Sequence, residues 1–120
     1  ICTVVGPEAI TGSSRMKAGT DQKMVLNMLS TGSMVKMGKT YENYMIDVMP
    51  TNLKLRDRAS RIVSELAGVE KTQARETLEN SDWKVKTAVT MLRGNLDKDR
   101  ANELLEENDG ILRKALNTLA

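Results

Sequence analysis

The 120-residue sequence has no histidine and few aromatic side chains: one Trp, two Tyr and no Phe. Without imidazoles, these residues cannot build a histidine-based metal site or a Ser-His-Asp triad. The scarcity of aromatic rings removes stacking platforms for nucleic acid, and the net charge of +2 is nearly balanced. We therefore expect no cofactor, no metal and no nucleic-acid partner.

Cysteine and long apolar runs are also scarce. The one cysteine, Cys2, cannot form an intrachain disulfide. It lies in the apolar run Ile1-Cys2-Thr3-Val4-Val5, so we expect a buried thiol in an interior parallel strand. No apolar run approaches the roughly 18 residues of a membrane span. We expect no membrane partner, and we interpret the chain as the C-terminal portion of a longer protein.

A polar, glycine-rich loop follows the apolar run, and a helical pattern extends from about Met16 to Met37. At a helix N-terminus, unpaired N–H groups and the helix dipole favour an anion, and Arg15 and Lys17 add positive charge. The loop is therefore a candidate site for a phosphorylated small molecule. The Gly-Ser-Ser sequence at residues 12–14 is equally typical of an ordinary N-cap, so spacing alone leaves both readings open.

The next segments predict a short strand over 45–48 and then a helix with apolar residues at a spacing of three to four. Thr51 or Asn52 can cap this helix, and Gly68 ends it. We place a domain boundary there, between residues 1–67 and 68–120.

An internal repeat with an offset of 27 occupies residues 68–120. Residues 74–79 align with 101–106, and each unit has the pattern helix, turn, helix. Asp82 and Asp109 stand where an N-cap side chain is expected. Each hairpin is too short to bury its own apolar stripe, so we expect the two units to pack as a small bundle.

Several motifs resemble one family. They are Gly6-Pro7-Glu8, Ile10-Thr11-Gly12-Ser13-Ser14-Arg15-Met16-Lys17, Gly19-Thr20 and Gln22-Lys23, with further likeness over 25–32 and 51–59. Together they resemble the signature that N-acetylmuramic acid 6-phosphate etherases share with the glucokinase regulatory protein, both of which have sugar isomerase (SIS) domains. The first helical repeat unit resembles a ubiquitin-associated (UBA-like) domain. The resemblance implies a mainly α chain: the C-terminal end of an α/β SIS-type domain over 1–67, then a small UBA-like bundle over 68–120.

This resemblance implies a lyase that cleaves the D-lactyl ether of N-acetylmuramic acid 6-phosphate to N-acetylglucosamine 6-phosphate and D-lactate. It also implies a cytoplasmic homodimer that forms through the SIS domain. The acid and base would lie upstream, so we expect this chain alone to be inactive, with Glu8 as a possible catalytic exception. The expected substrate-binding residues are Glu8, Ser13, Ser14, Arg15 and Lys17. For Glu8, an alternative role is to hold loop amides or to pair with a loop cation.

Two other functions remain open at this point. The chain is also consistent with a non-catalytic phosphosugar-binding regulator. Alternatively, its helical part is a protein-interaction module alone.

Overall fold

The computed structural model describes residues 1–12 and 15–119, so Ser13, Ser14 and Ala120 lie outside the described residues. The described chain is mainly helical, as the sequence predicted. The chain divides into two compact units, Ile1–Lys36 and Met37–Ala120. The elements are α1 (Met16–Lys36), β1 (Thr40–Tyr41), β2 (Tyr44–Met45), α2 (Leu53–Ala67), α3 (Lys71–Asn80), α4 (Val85–Gly94), α5 (Lys98–Glu107) and α6 (Leu112–Asn117).

The first unit consists of helix α1 and the segment that precedes it. The predicted helix is confirmed, and its side chains remain accessible, since none of its described residues is buried. The predicted strand over residues 1–5 is wrong for this chain: the segment is not a strand, and Ile1 and Val4 are 94% and 91% exposed. The predicted burial of Cys2 is also wrong, because its thiol is exposed. A strand requires a neighbour for its backbone groups, and the described part of this unit offers none.

The second unit begins with a small antiparallel hairpin, in which Tyr41 pairs with Tyr44. The predicted strand over 45–48 is therefore wrong except for Met45, because the hairpin strands are Thr40–Tyr41 and Tyr44–Met45. The hairpin is anchored at both strands. The Tyr44 hydroxyl donates to Glu65 of α2, and the Arg113 guanidinium of α6 lies 5.1 Å from the ring centroid of Tyr41.

Helix α2 has the ends that its sequence predicts. The Asn52 side chain accepts a hydrogen bond from the Leu55 N–H at 2.9 Å, which satisfies one of the free amides of the first turn. Gly68 ends the helix in a left-handed conformation, with φ 69°. Ala59, Ile62 and Val63 are buried on one face and pack into the core.

The internal repeat is confirmed by the structure. Helices α3 and α5 begin at Lys71 and Lys98, and α4 and α6 begin at Val85 and Leu112, so both pairs have the predicted offset of 27. Buried residues correspond between the two units: Ala74 with Ala101, Leu78 with Leu105, Val85 with Leu112, Ala88 with Ala115, and Val89 with Leu116. Helix α4 contacts α2, α3, α5 and α6. The two repeats thus share one core, in which α4 is the central helix.

The turns inside the repeats differ from the prediction. Asp82 and Asp109 are not N-caps, because the N-cap positions of α4 and α6 are Lys84 and Ile111, which form no side-chain cap bond. Both aspartates instead have left-handed backbones, with φ 53° and 58°. A short polar side chain tolerates this conformation better than most residues do. Their carboxylates pair with Lys98 and Lys114 at 2.6 and 2.7 Å.

The division between compact units follows Lys36, whereas the predicted domain boundary is at Gly68. Helix α2 shares its core with α3 and α4, because Val63, Leu78 and Val89 belong to one apolar cluster. The assignment of residues 1–67 to a SIS domain and of 68–120 to a UBA-like domain stays a prediction.

Candidate functional site

The carboxylate of Glu8 binds the N-terminus of α1. Its Oε2 accepts a hydrogen bond from the Lys17 backbone N–H at 3.0 Å, and its Oε1 accepts one from the Ala18 N–H at 3.1 Å. The first turn of a helix has amides without intrahelical acceptors, and an anion there also interacts favourably with the helix dipole. Glu8 therefore supplies from within the chain the negative charge that this helix start attracts.

These hydrogen bonds also change the acidity of Glu8. The pKa of its carboxyl group lies below the usual value of 4.5, mainly because the Lys17 N–H and then the Ala18 N–H donate to the ionised form. The lowered pKa means that Glu8 stays ionised to a lower pH than an ordinary carboxyl group. A carboxylate with a lowered pKa is a poor general acid, so this geometry favours a binding or positioning role for Glu8 over a proton-donating one.

Lys17 closes the loop from the other side. Its Nζ donates to the Pro7 carbonyl oxygen at 3.1 Å, so Lys17 holds the Gly-Pro-Glu segment through both its backbone and its side chain. Glu8 therefore contacts backbone amides, as in the alternative role considered for it, but these amides belong to the first turn of α1 and not to the loop. Lys17 is turned toward the loop backbone in this arrangement.

Arg15 contributes to a cavity of about 340 Å³ beside the start of α1. The cavity is lined by Ile1, Thr3, Arg15, Ala18, Asp21, Gln22 and Val25. It contains both signs of charge, from Arg15 and Asp21, and the Thr3 hydroxyl donates to the Asp21 carboxylate. The predicted binding residues Ser13 and Ser14 lie outside the described residues.

The structure thus brings together Glu8 and Lys17 and places Arg15 on a separate cavity wall. Sequence reasoning did not place Thr3 and Asp21 beside Arg15, with which they line this cavity. The spacing of Ala18, Asp21, Gln22 and Val25 was an available signal, because residues three and four apart lie on one helix face. Thr3 had no such signal, since it was assigned to a buried strand.

Neither a metal centre nor a membrane span is found in residues 1–12 and 15–119. No group of three or more Cys, Asp or Glu side chains there has an arrangement that would hold a metal ion. No helix in the same residues is long and apolar enough to cross a membrane.

Comparisons with known proteins find the same family that the loop motifs resemble. The N-acetylmuramic acid 6-phosphate etherase of Lactobacillus johnsonii is 56% identical over 114 residues, which cover 95% of this chain and 38% of that protein. The etherase of Serratia proteamaculans is 55% identical over 97% of this chain and 39% of its own length. That of Pectobacterium atrosepticum is 56% identical over 97% of this chain and 38% of its own length. Over nearly its whole length, the chain is thus similar to N-acetylmuramic acid 6-phosphate etherases.

The family resemblance that the loop motifs indicated is therefore confirmed. The chain spans 38–39% of the length of these etherases. In addition, residues 42–91 match the family described as the C-terminal lid domain of glucokinase regulatory protein. This segment extends from the hairpin into α4, so it includes Gly68, where the domain boundary was predicted.

Proposed function

We propose that this chain is part of a lyase that removes the D-lactyl ether of N-acetylmuramic acid 6-phosphate, giving N-acetylglucosamine 6-phosphate and D-lactate. The observation that carries this proposal is 54–56% identity over 95–97% of the chain to proteins named as this etherase. A match over nearly the whole chain includes the glycine-rich loop, which is the segment that we propose binds the substrate.

Within that enzyme, the loop before α1 is the proposed sugar-phosphate site. Glu8 already accepts from the amides of Lys17 and Ala18, and its negative charge would repel a phosphate placed there. The proposed phosphate contacts are therefore the Ser13 and Ser14 hydroxyls and the Arg15 guanidinium. Glu8 and Lys17 are proposed to hold the loop in shape, with Glu8 also available to accept a sugar hydroxyl.

The acid and base are not assigned to this chain. Elimination of the ether requires a base near C2 and a proton donor near the leaving oxygen. The ionised Glu8, which is held by two backbone amides, fits neither role well. The proposed catalytic carboxylates belong to residues of the longer enzyme, and this chain alone is proposed to be inactive.

The finer assignments of fold and assembly belong to the same proposal. We assign residues 1–67 to the end of a SIS domain and 68–120 to a UBA-like bundle, in a cytoplasmic homodimer. The exposed apolar side chains of α1 support this assignment, because such a helix requires a covering sheet or subunit. They include Met24, Leu26, Met28, Leu29 and Val35.

The test is D-lactate release from N-acetylmuramic acid 6-phosphate by the longer protein that contains this chain. We expect stoichiometric D-lactate and N-acetylglucosamine 6-phosphate. The 120-residue chain at equal concentration is the matched control and should release none. An absence of D-lactate from the folded longer protein would contradict the proposal, as would turnover by the chain alone.

A second candidate function is a non-catalytic phosphosugar-binding regulator. It is favoured by one observation, the match of residues 42–91 to the lid domain of glucokinase regulatory protein. The same experiment separates the two functions. A regulator would bind the phosphosugar, as measured by calorimetry, without releasing D-lactate.

A further inference from the structure

Trp83 has a backbone conformation that is unfavourable for a bulky residue. Its φ is 61°, in the left-handed region, and the position that corresponds to it in the second repeat is Gly110, with φ 67°. The two turns close in the same way: the Trp83 N–H donates to the Leu78 carbonyl and the Gly110 N–H to the Leu105 carbonyl, both at 2.7 Å. Glycine adopts this conformation without cost, whereas a non-glycine residue loses about 1–2 kcal/mol. The first repeat thus keeps a tryptophan where the fold alone would favour glycine.

The Trp83 side chain stacks against the side chain of Arg56. The guanidinium of Arg56 lies 4.8 Å from the centroid of the Trp83 ring, which is a cation–π distance. Among the residues that the structure describes, no carboxylate forms an ion pair with Arg56. The Nε–H of Arg56 donates to the Pro50 carbonyl at 3.5 Å. The terminal N–H groups of a guanidinium that stacks on a ring lie in its own plane, where they remain available to a planar or tetrahedral anion.

Arg56 and Trp83 line a groove between α2, α3 and the turn after α3. The groove has a volume of about 330 Å³, and Leu53, Ser60, Lys71 and Arg75 are also part of its lining. A volume of this size is within the roughly 300–1,000 Å³ of small-molecule sites. Leu53 is 82% exposed, so the groove has an open apolar wall beside its charged one.

The charges of the groove are mainly positive. Arg56, Lys71 and Arg75 are three cations from two helices, against one lining carboxylate, Asp57. Asp57 pairs with Lys71 and with Arg61, and Arg75 pairs with Glu79 at 3.2 Å. These pairs are exposed, and exposed ion pairs are weak enough to rearrange when a stronger anion arrives. A phosphate, with two negative charges and three terminal oxygens, is such an anion.

We propose that this groove binds the phosphate group of a small organic phosphate, with Arg56 as the main phosphate-binding side chain. Trp83 acts as a positioning residue that holds Arg56, and its ring together with Leu53 receives the organic part of the ligand. The site lies within residues 53–83 and uses none of the loop residues before α1. This role accounts for a tryptophan at a turn position where glycine would be less strained.

The chain offers a direct probe, because Trp83 is its single tryptophan. The experiment titrates the 120-residue chain with N-acetylglucosamine 6-phosphate and follows the fluorescence of Trp83. We expect a saturable change, which is absent with unphosphorylated N-acetylglucosamine. Loss of a charge-assisted hydrogen bond in Arg56→Gln should raise Kd about tenfold or more. Arg56→Lys, which keeps the charge without the planar fork, should also weaken binding.

Arg100→Gln is the matched control, because Arg100 is exposed, pairs with Glu103 and lies outside the groove. Its Kd should be unchanged. A lack of saturable change, or equal Kd values for the wild type and both Arg56 variants with native helicity, would overturn the proposal. Equal affinity for inorganic phosphate would overturn the assignment of an organic ligand. D-lactate release by the longer protein does not depend on any of these outcomes.

Discussion

The carboxylate of Glu8 accepts a hydrogen bond from the backbone N–H of Lys17 at 3.0 Å, and Lys17 returns one from its Nζ to the Pro7 carbonyl at 3.1 Å. Two residues nine positions apart thus join the loop to the start of α1. The sequence motifs predicted that both residues bind the substrate. The structure shows that they bind each other's segments, and this narrows the proposed phosphate contacts to residues 13–15.

The hydrogen bonds of Glu8 should be pH-dependent. Because the pKa of Glu8 is lowered in the folded chain, its contribution to the helix start is complete above the usual value of 4.5 and is lost as pH falls through the lowered pKa. The amide proton shifts of Lys17 and Ala18, measured by NMR, should titrate with a midpoint below 4.5. Glu8→Gln should abolish this transition. A midpoint at or above the usual value would show that the carboxylate does not bind these amides.

The two loop serines should matter for substrate binding. In the longer protein, Ser13→Ala or Ser14→Ala should weaken sugar-phosphate binding by about 1–3 kcal/mol, the cost of one lost polar contact. The steady-state kcat and KM measure this effect. Thr77→Ala is a control of similar chemistry, because the Thr77 hydroxyl is exposed on α3 and donates within its own helix to Gln73 at 2.9 Å. Wild-type kinetics in both serine variants would count against the loop as the binding site.

The turn of the second repeat should depend on glycine. Gly110 has φ 67°, and no atom lies within 4 Å of the position that a Cβ would take there. Gly110→Ala should therefore cost about 1–2 kcal/mol from backbone strain alone. Urea denaturation of the chain measures this cost. Glu106→Ala, an exposed change one helical turn earlier, should alter stability by less than about 0.5 kcal/mol. Equal stability of the two variants would refute the strain argument.

The shared core of the two repeats should be sensitive to cavities. Leu78 is fully buried in a cluster that includes Val63 and Val89. Leu78→Ala should lower the free energy of unfolding by about 2–5 kcal/mol, since it removes buried methyl groups and leaves a cavity. Leu53→Ala, at a residue that is 82% exposed, should change it by less than about 0.5 kcal/mol. If the two variants unfold at the same urea concentration, the predicted sensitivity of the shared core to a cavity at Leu78 is contradicted.

Helices and the repeat were predictable because their signals are local. Asn52 and Gly68 mark the ends of α2. The repeat offset of 27 residues predicts where α5 and α6 begin once the starts of α3 and α4 are known. The strand over residues 1–5 was not predictable in the same way, because strand pairing depends on partners elsewhere in the chain. The predicted burial of Cys2 depended on that strand, and its thiol is exposed in this structure.

Side-chain roles at turns were harder to predict than the turns themselves. Asp82 and Asp109 were expected to cap α4 and α6, but each has a positive φ and pairs with a lysine instead. Aspartate suits both situations, since its side chain is short and accepts hydrogen bonds. The stacking of Arg56 on Trp83 joins residues 27 positions apart in different helix–turn segments, and no periodicity in the sequence marks it.

The position of bound N-acetylglucosamine 6-phosphate in the longer protein, determined by crystallography, is the most direct measurement of how the loop contributes to the etherase. The phosphate oxygens should lie within hydrogen-bond distance of the Ser13 or Ser14 hydroxyl and beside the Arg15 guanidinium. Glu8 should still accept from the Lys17 and Ala18 amides. A bound sugar phosphate that contacts no residue of the segment 6–17 would contradict this assignment of the site.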